Sequence, residues 1–228
     1  MAEDIRMAEI AALVGDPARA NILSALMGGR ALTAKELAGV AGVSPQTTSG
    51  HLGKLFGANL VARVKQGRHR YFRIATPQVA EMLEAIMAVV AATPPRYRPP
   101  SKADDAMRMA RTCYDHVAGM LGVQLADRLV QRELIILGAE AGEVTSSGTK
   151  FLTRIGVDLS AARARRRVFC RPCVDWTERR PHIGGAVGAA LASWLLELKW
   201  IERVHASRAV MITPAGRRGL QEIFAISL

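Results

Sequence analysis

The chain has 228 residues, half of them hydrophobic, and carries a formal net charge of +11 with a pI near 10.4. That length has room for one large domain or two small ones with real cores, and two are expected; the charge favours a polyanionic partner. No apolar run long enough to span a bilayer appears, and no basic region followed by an apolar core opens the chain, so no membrane partner is expected and the cytoplasm is the expected location. Three cysteines are too few for a disulfide framework and are expected as reduced thiols.

Taken in order, Ala2 to Val14 carries Ile5, Ile10, Leu13 and Val14 at helical spacing. Gly15-Asp16-Pro17 breaks that helix, and Asp16 caps the next, whose buried face is Ile22, Leu23 and Leu26. Thr33 with Glu36 three residues on is a capping box, opening a helix to Ala41. Ala41-Gly42-Val43 turns the chain into a helix capped by Ser44, with Pro45 at its first position. This helix sends forward small polar side chains, then a His and a Lys, while Leu52 and Leu55 face inward. That distribution suits a DNA major groove. Leu60 to Lys65 then alternates as a half-buried strand, Gln66-Gly67-Arg68 turns, and His69 to Ile74 returns. Lys65, Arg68, His69 and Arg70 crowd the hairpin tip, a basic wing placed to meet phosphates. The candidate DNA-contacting residues are Ser44, Gln46, Thr47, Thr48, Ser49, His51, Lys54, Lys65, Arg68, His69 and Arg70.

Asp16-Pro17-Ala18-Arg19-Ala20-Asn21-Ile22-Leu23, Leu32 to Ala38, Val43 to Leu52 and Gly67 to Phe72 together resemble the ArsR family of bacterial winged-helix regulators. The resemblance covers about the first 92 residues. It implies a homodimer that sits on an inverted-repeat operator and releases it, or changes grip, when an inducer binds. It places Gln46, Thr47, Ser49 and His51 on the recognition helix and Arg68 to Arg70 on the wing. Gly50 inside that helix departs from good helix chemistry, costing about 1 kcal/mol against Ala. Metal-sensing members often carry cysteines on the helix from Thr33 to Ala41, or His and carboxylates on the helix after the wing. The first helix here has no Cys and the second, Pro77 to Ala92, has no His, so both familiar metal sites are missing. Met82, Leu83, Ile86, Met87 and Val90 form an apolar stripe on the latter helix, which the resemblance makes a dimer interface.

Thr93 to Pro100 holds four prolines and reads as a semi-rigid linker, so the expected division is a DNA-binding and dimerisation domain over 1–92, a linker over 93–101 and a second domain over 102–228. Residues 1–93 hold 10 basic and 7 acidic residues and residues 94–228 hold 21 and 13, so the charge excess lies mostly beyond the helix-turn-helix. Lys102 to about Ile136 reads as two helices broken near Gly122. Val144–Ile155 repeats as Ile212–Ile223, each a strand end, a Thr cap and a helix. Leu191, Trp194, Ile201, Arg203 and Val204 echo the order Leu52, Leu55, Val61, Arg63 and Val64. The second half is therefore expected to be a degenerate winged helix, with Gly184 to Leu198 in the recognition-helix position but too apolar to read bases. The fold class is mainly α with small β-hairpin wings, α+β, built from an N-terminal winged helix-turn-helix and this second domain.

Cys170-Arg171-Pro172-Cys173 lies near Asp175 and His182, and Cys113 with His116 upstream share a face if that segment is helical. Cys113, His116, Cys170, Cys173 and His182 have the chemistry for zinc or another thiophilic metal. The alternative is a buried thiol pair beside a Trp, with arginines paired to Asp175 and Glu178. On an extended strand, residues 170 and 173 point to opposite faces, so a shared ion needs a turn at Pro172. The triple arginine 165–167 reads as a solvated face, or as a hold for DNA flanks or an anionic effector.

The leading functional reading is a sequence-specific dimeric repressor whose second domain receives a signal. The candidate signals are a metal, a thiol oxidant, a small organic molecule in an apolar pocket near Trp176 and Trp194, or a partner protein. A second reading is an architectural DNA-binding protein with no effector. A third is a thiol redox enzyme using Cys170 and Cys173, disfavoured because the pair does not open a helix after a strand in a βαβ unit. No phosphate loop, Ser-His-Asp order or paired-carboxylate motif suggests another enzyme.

Overall fold

The computed structural model describes residues 2–66, 69–92, 102–205 and 207–228. The chain divides into two compact units, Met1–Ile86 and Met87–Leu228. The division falls within one helix, and the proline-rich stretch expected as a linker lies outside the described residues.

The first unit runs α1 (Ala2–Val14), α2 (Pro17–Leu26), β1 (Leu32–Thr33), α3 (Ala34–Ala41), α4 (Pro45–Gly57), β2 (Val61–Gln66), β3 (His69–Ile74) and the first turns of α5 (Pro77–Ala92). The starts of α2, α3 and α4 have the expected chemistry. The Asp16 carboxylate accepts from the Arg19 N–H, Thr33 and Glu36 close a complete capping box, and the Ser44 hydroxyl accepts from the Thr47 N–H. Gly42 adopts φ 67°, the left-handed conformation that turns α3 into α4. Ile22, Leu23, Leu26, Leu37, Leu52 and Leu55 are buried together in this unit. The sheet has order β1-β3-β2, all antiparallel. Its short edge strand, β1, escapes a sequence reading because two residues carry no alternation.

The second unit contains α6 (Lys102–Met109), β4 (Arg111–Cys113), β5 (His116–Ala118), α7 (Gly119–Gln131), β6 (Ile135–Leu137), β7 (Gly142–Val144), α8 (Ser146–Arg154) and α9 (Leu159–Arg163). It continues with β8 (Arg171–Val174), β9 (Pro181–Gly184), α10 (Gly185–Glu197), β10 (Ile201–Arg203), β11 (Val210–Ile212) and α11 (Pro214–Phe224). The expected helical run through 102–136 is corrected: residues 111–118 form a tight hairpin, with Tyr114 at φ 59° in its turn. β-branched Thr112 and Val117, paired across the strands, favour the extended form locally.

After α6 the order hairpin, helix, hairpin, helix occurs twice, first as β4-β5-α7-β6-β7-α8 and then as β8-β9-α10-β10-β11-α11. The repeat seen in sequence at Thr145 and Thr213 is its final part. Both threonines cap a helix, accepting from Gly148 and Gly216 N–H and donating to the carbonyls of Glu133 and Lys199. The repeat in fact begins at Arg111-x-Cys113-x-Asp115 and Arg171-x-Cys173-x-Asp175. It runs on through His116-Val117-Ala118-Gly119-x-x-Gly122 and His182-Ile183-Gly184-Gly185-x-x-Gly188. Gly119 and Gly185 start their helices at φ 78° and 79°. The Gly184 to Leu198 segment is the apolar buried helix expected, with Val187, Leu191, Trp194 and Leu195 in the core. Winged-helix-like helix-and-hairpin units thus occur twice here rather than once.

Candidate functional site

Two groups of residues stand out, one on the surface of the first unit and one buried in the second. In the first, α4 presents Gln46, Thr47, Ser49 and Lys54 to solvent, with Ser44 exposed at its cap. Gly50, Gly53 and Gly57 are exposed as well, and a Cβ built on any of them would meet nothing within 4 Å. Thr48 is placed differently from the expectation: it is fully buried, and its hydroxyl donates to the Ser44 carbonyl at 2.9 Å. It precedes Leu52 and Leu55 by four and seven residues, which puts all three on the inner face. His51 is half-buried, with Nδ1 3.4 Å from Arg19 Nη1, so it fastens α4 to α2. Arg19 is itself fixed by the carbonyls of Leu13 and Ala12.

In the wing, Lys65 stands directly opposite Arg70 and Gln66 opposite His69. Lys65 and Arg70 are both exposed. Like charges placed across a ladder are unfavourable by themselves, so this pair is better matched by an anion than by its own neighbours. Arg68 lies outside the described residues.

The second group comes from the two hairpins that begin the repeats. Cys113 pairs directly with His116 across β4 and β5, and Cys173 pairs directly with His182 across β8 and β9. Directly opposed residues share a face, so each hairpin presents one sulfur and one imidazole together. One ligand atom from each of the four lies within 4.8 Å of the others, and all four residues are buried. The imidazoles stack with centroids 5.0 Å apart and bring their Nε2 atoms to 3.1 Å. Each histidine backs onto the other repeat: a Cβ on Gly188 would lie 3.1 Å from His116 Cβ, and one on Gly122 would lie 3.5 Å from His182 Cβ.

Around these rings stand two carboxylates at matching positions of the repeats. Asp115 Oδ1 lies 3.3 Å from His116 Nδ1, and the Arg167 guanidinium donates to the same carboxylate. Burial pushes Asp115 up, but hydrogen bonds and charge from His116 and Arg167 outweigh it and hold the carboxyl below its ordinary value. Asp175 Oδ2 lies 3.9 Å from His182 Nδ1 and accepts from Arg111 Nη2 at 2.8 Å and the Gly119 N–H at 2.6 Å. Burial again opposes ionisation, and the Arg111 charge with hydrogen bonds from Glu178, Thr177 and Gly119 overcomes it, leaving Asp175 well below the usual carboxylate range. Burial, then the charge of His116, drives the His182 pKa well down.

Of the five expected metal ligands, the structure brings together Cys113, His116, Cys173 and His182 and leaves out Cys170. β8 begins at Arg171, so Cys170 lies just before the strand, whereas Cys173 lies within it and packs with Cys113 and Ala118. Cys170 belongs to the large apolar core, and burial raises its thiol pKa to about 11. That is the wrong direction for a nucleophilic thiolate. Arg111 went unnoticed in sequence. It is fully buried, ion-paired to Asp175 and stacked 4.3 Å from the Trp176 ring. Its repetition in the Arg-x-Cys-x-Asp pattern is the signal that marks it. Of the two tryptophans expected beside an apolar pocket, Trp176 lies against the Arg111 guanidinium and Trp194 borders a cleft of about 180 Å³. In the arginine triplet, Arg165 and Arg166 are exposed and Arg167 is tied to Asp115.

Residues 14–64, which hold the capped helix pair, match the family described as a helix-turn-helix domain. Over 211 residues, 92% of this chain and 93% of the relative, the sequence is 42% identical to the uncharacterized HTH-type transcriptional regulator YdfF of Bacillus subtilis (strain 168). The chain belongs to the HTH-type transcriptional regulators. Solved structures similar to part of this regulator include the homodimeric winged helix-turn-helix DNA-binding domain of a possible ArsR-family regulator from Mycobacterium bovis, at 27% identity, 40% of this chain, 82% of that one and TM-score 0.36. Another is the cadmium metal-sensor CMTR from Mycobacterium tuberculosis, at 28% identity, 42% of this chain, 98% of that one and TM-score 0.32. Among the regulator's described residues no helix is long and apolar enough to cross a membrane.

Proposed function

We propose that this HTH-type regulator is a cytoplasmic, dimeric repressor that reads an inverted-repeat operator through α4 and holds its flanks through the β2–β3 wing. The observation that carries the reading is the exposed polar face of α4, with Gln46, Thr47, Ser49 and Lys54, in the same unit as the exposed Lys65 and Arg70 pair. Small donors and acceptors read base edges, while exposed cations bind phosphates whatever the sequence. Thr48 and His51 act from behind, one filling the core and the other fixing the helix to Arg19.

The second copy docks on the apolar face of α1 and α5. Met7, Ile10, Val14, Met82 and Ile86 line an open apolar groove there, and Val89 and Val90 continue α5 with about two-thirds of their surface exposed. The second unit supplies the input that alters operator affinity. Selection from random DNA with the full-length protein tests the reading. An enriched palindromic site is expected, and replacing Gln46 and Thr47 by Ala should reduce discrimination between that site and scrambled DNA by about 1–3 kcal/mol per lost base contact. Binding without enrichment of any sequence would favour the architectural alternative, and no DNA binding would refute both.

A further inference from the structure

We infer that Cys113, His116, Cys173 and His182 hold one zinc-class divalent ion, and that this ion joins the two repeats of the second unit. Neither repeat has a complete site, since each hairpin supplies one sulfur and one nitrogen. Tetrahedral zinc with two thiolates and two imidazoles needs ligand–ligand separations of about 3.3 to 3.8 Å. The four atoms already lie within 4.8 Å of one another with the two nitrogens at 3.1 Å, so small side-chain rotations complete the shell.

The hydrogen-bonding arithmetic of the two rings points the same way. Without an ion, one of the facing Nε2 atoms has to donate to the other. If His116 directs Nδ1–H to Asp115, the donor is His182 Nε2–H, and His182 Nδ1 becomes a bare lone pair. That nitrogen is buried, has no hydrogen-bond partner and faces, at 3.9 Å, the Asp175 carboxylate that is paired with the Arg111 guanidinium. A buried acceptor turned toward an anion is doubly unfavourable. With an ion, both Nε2 lone pairs coordinate and both Nδ1–H groups point toward a carboxylate, Asp115 on one side and Asp175 on the other. Carboxylates behind metal-bound imidazoles fix tautomer and orientation in this way. Arg167 and Arg111 in turn hold those carboxylates in place. Four protein ligands in a buried shell leave no open position, which is the pattern of a structural ion rather than of one that activates water.

The proposal does not depend on the DNA-binding reading and is tested without DNA. Full-length protein is purified under reducing conditions without chelator, and its metal content is measured by mass spectrometry. About one zinc per chain is expected. Replacing zinc by Co(II) should give the intense visible bands of a four-coordinate ion together with thiolate-to-cobalt charge transfer. Cys170→Ala should keep the ion, while Cys173→Ser and His182→Gln should lose it or bind Co(II) with an altered spectrum. Should those variants fail to fold, the wild-type cobalt spectrum still decides. A six-coordinate spectrum without charge transfer, metal-free protein that takes up no Co(II) or Zn(II), or loss of the ion in Cys170→Ala alone would overturn the inference.

Discussion

Gly50 and Gly53 give the sharpest test of which face of α4 approaches DNA. Both lie on its exposed side, three residues apart, and a Cβ at either would meet nothing within 4 Å. Nothing among the described residues therefore calls for glycine at these positions. In an exposed helix interior each glycine costs about 0.8–1 kcal/mol relative to Ala. The double variant Gly50→Ala/Gly53→Ala should thus stabilise the first unit by roughly 1.5–2 kcal/mol, which for a domain of this size is a rise of about 4–8 °C in Tm per kcal/mol. If the bare backbone lets the helix sit deep in the groove, two added methyl groups force it outward and weaken the nearest contacts. Losing one or two of them at about 1–3 kcal/mol each predicts operator binding weaker by about fivefold or more. Calorimetry and fluorescence-anisotropy titration on the selected operator measure both quantities, and Gly39→Ala on α3, also with open space around its Cβ, controls for helix propensity alone. A double variant that is more stable and binds the operator as tightly as the parent would refute close approach on this side.

Replacing Lys65 and Arg70 by Ala should weaken binding to specific and scrambled DNA alike and reduce the slope of log K against log salt by up to about 0.9 per lost phosphate contact, measured by titrations at several salt concentrations. Arg111→Met leaves the Asp175 carboxylate buried without its guanidinium; a loss of about 3–5 kcal/mol is expected in denaturant unfolding of the second unit, and a change under 1 kcal/mol would contradict the assigned pairing. If the proposed dimer forms through α5, Val89→Asp with Val90→Asp, which places two charges on exposed positions of that helix, should give monomer in sedimentation velocity without loss of helix content, and an unchanged dimer would refute that interface. Cys170, with its thiol pKa raised by burial to about 11, should resist iodoacetamide at pH 8 in the native protein and react only after denaturation.

The first unit was legible in sequence because its signals are local. Thr33 with Glu36, Ser44 with Pro45, and the alternation through Val61 each announce an element within a few residues. Thr48 was misplaced because its type suits a groove, whereas its spacing from Leu52 and Leu55 sends it inward. The second unit was legible only where Thr145 and Thr213 repeat a cap. The span from Arg111 to Ala118 contains two three-residue strands, too short to show a period of two, and its Cys113 and His116 fit a helical spacing equally well. The four-residue cluster forms by long-range pairing of segments some sixty residues apart, which no window along the chain captures. What the sequence did contain was the repeated Arg-x-Cys-x-Asp and His-x-x-Gly pattern, masked by the different distances from Cys to His in the two copies.

A ligand set divided evenly between two similar halves, each seated on the helix of the other, is the arrangement of a symmetric pair of subunits tied into one polypeptide. Tethering replaces a bimolecular encounter with an intramolecular one at an effective concentration in the millimolar range. Closure of the two hairpins on each other is then independent of how much protein the cell contains. It also lets the halves differ: one hairpin has a two-residue turn at Tyr114-Asp115, while the turn of the other spans Asp175 to Arg180 and carries Trp176 against Arg111. The longer turn gives an otherwise even-handed junction an inside and an outside.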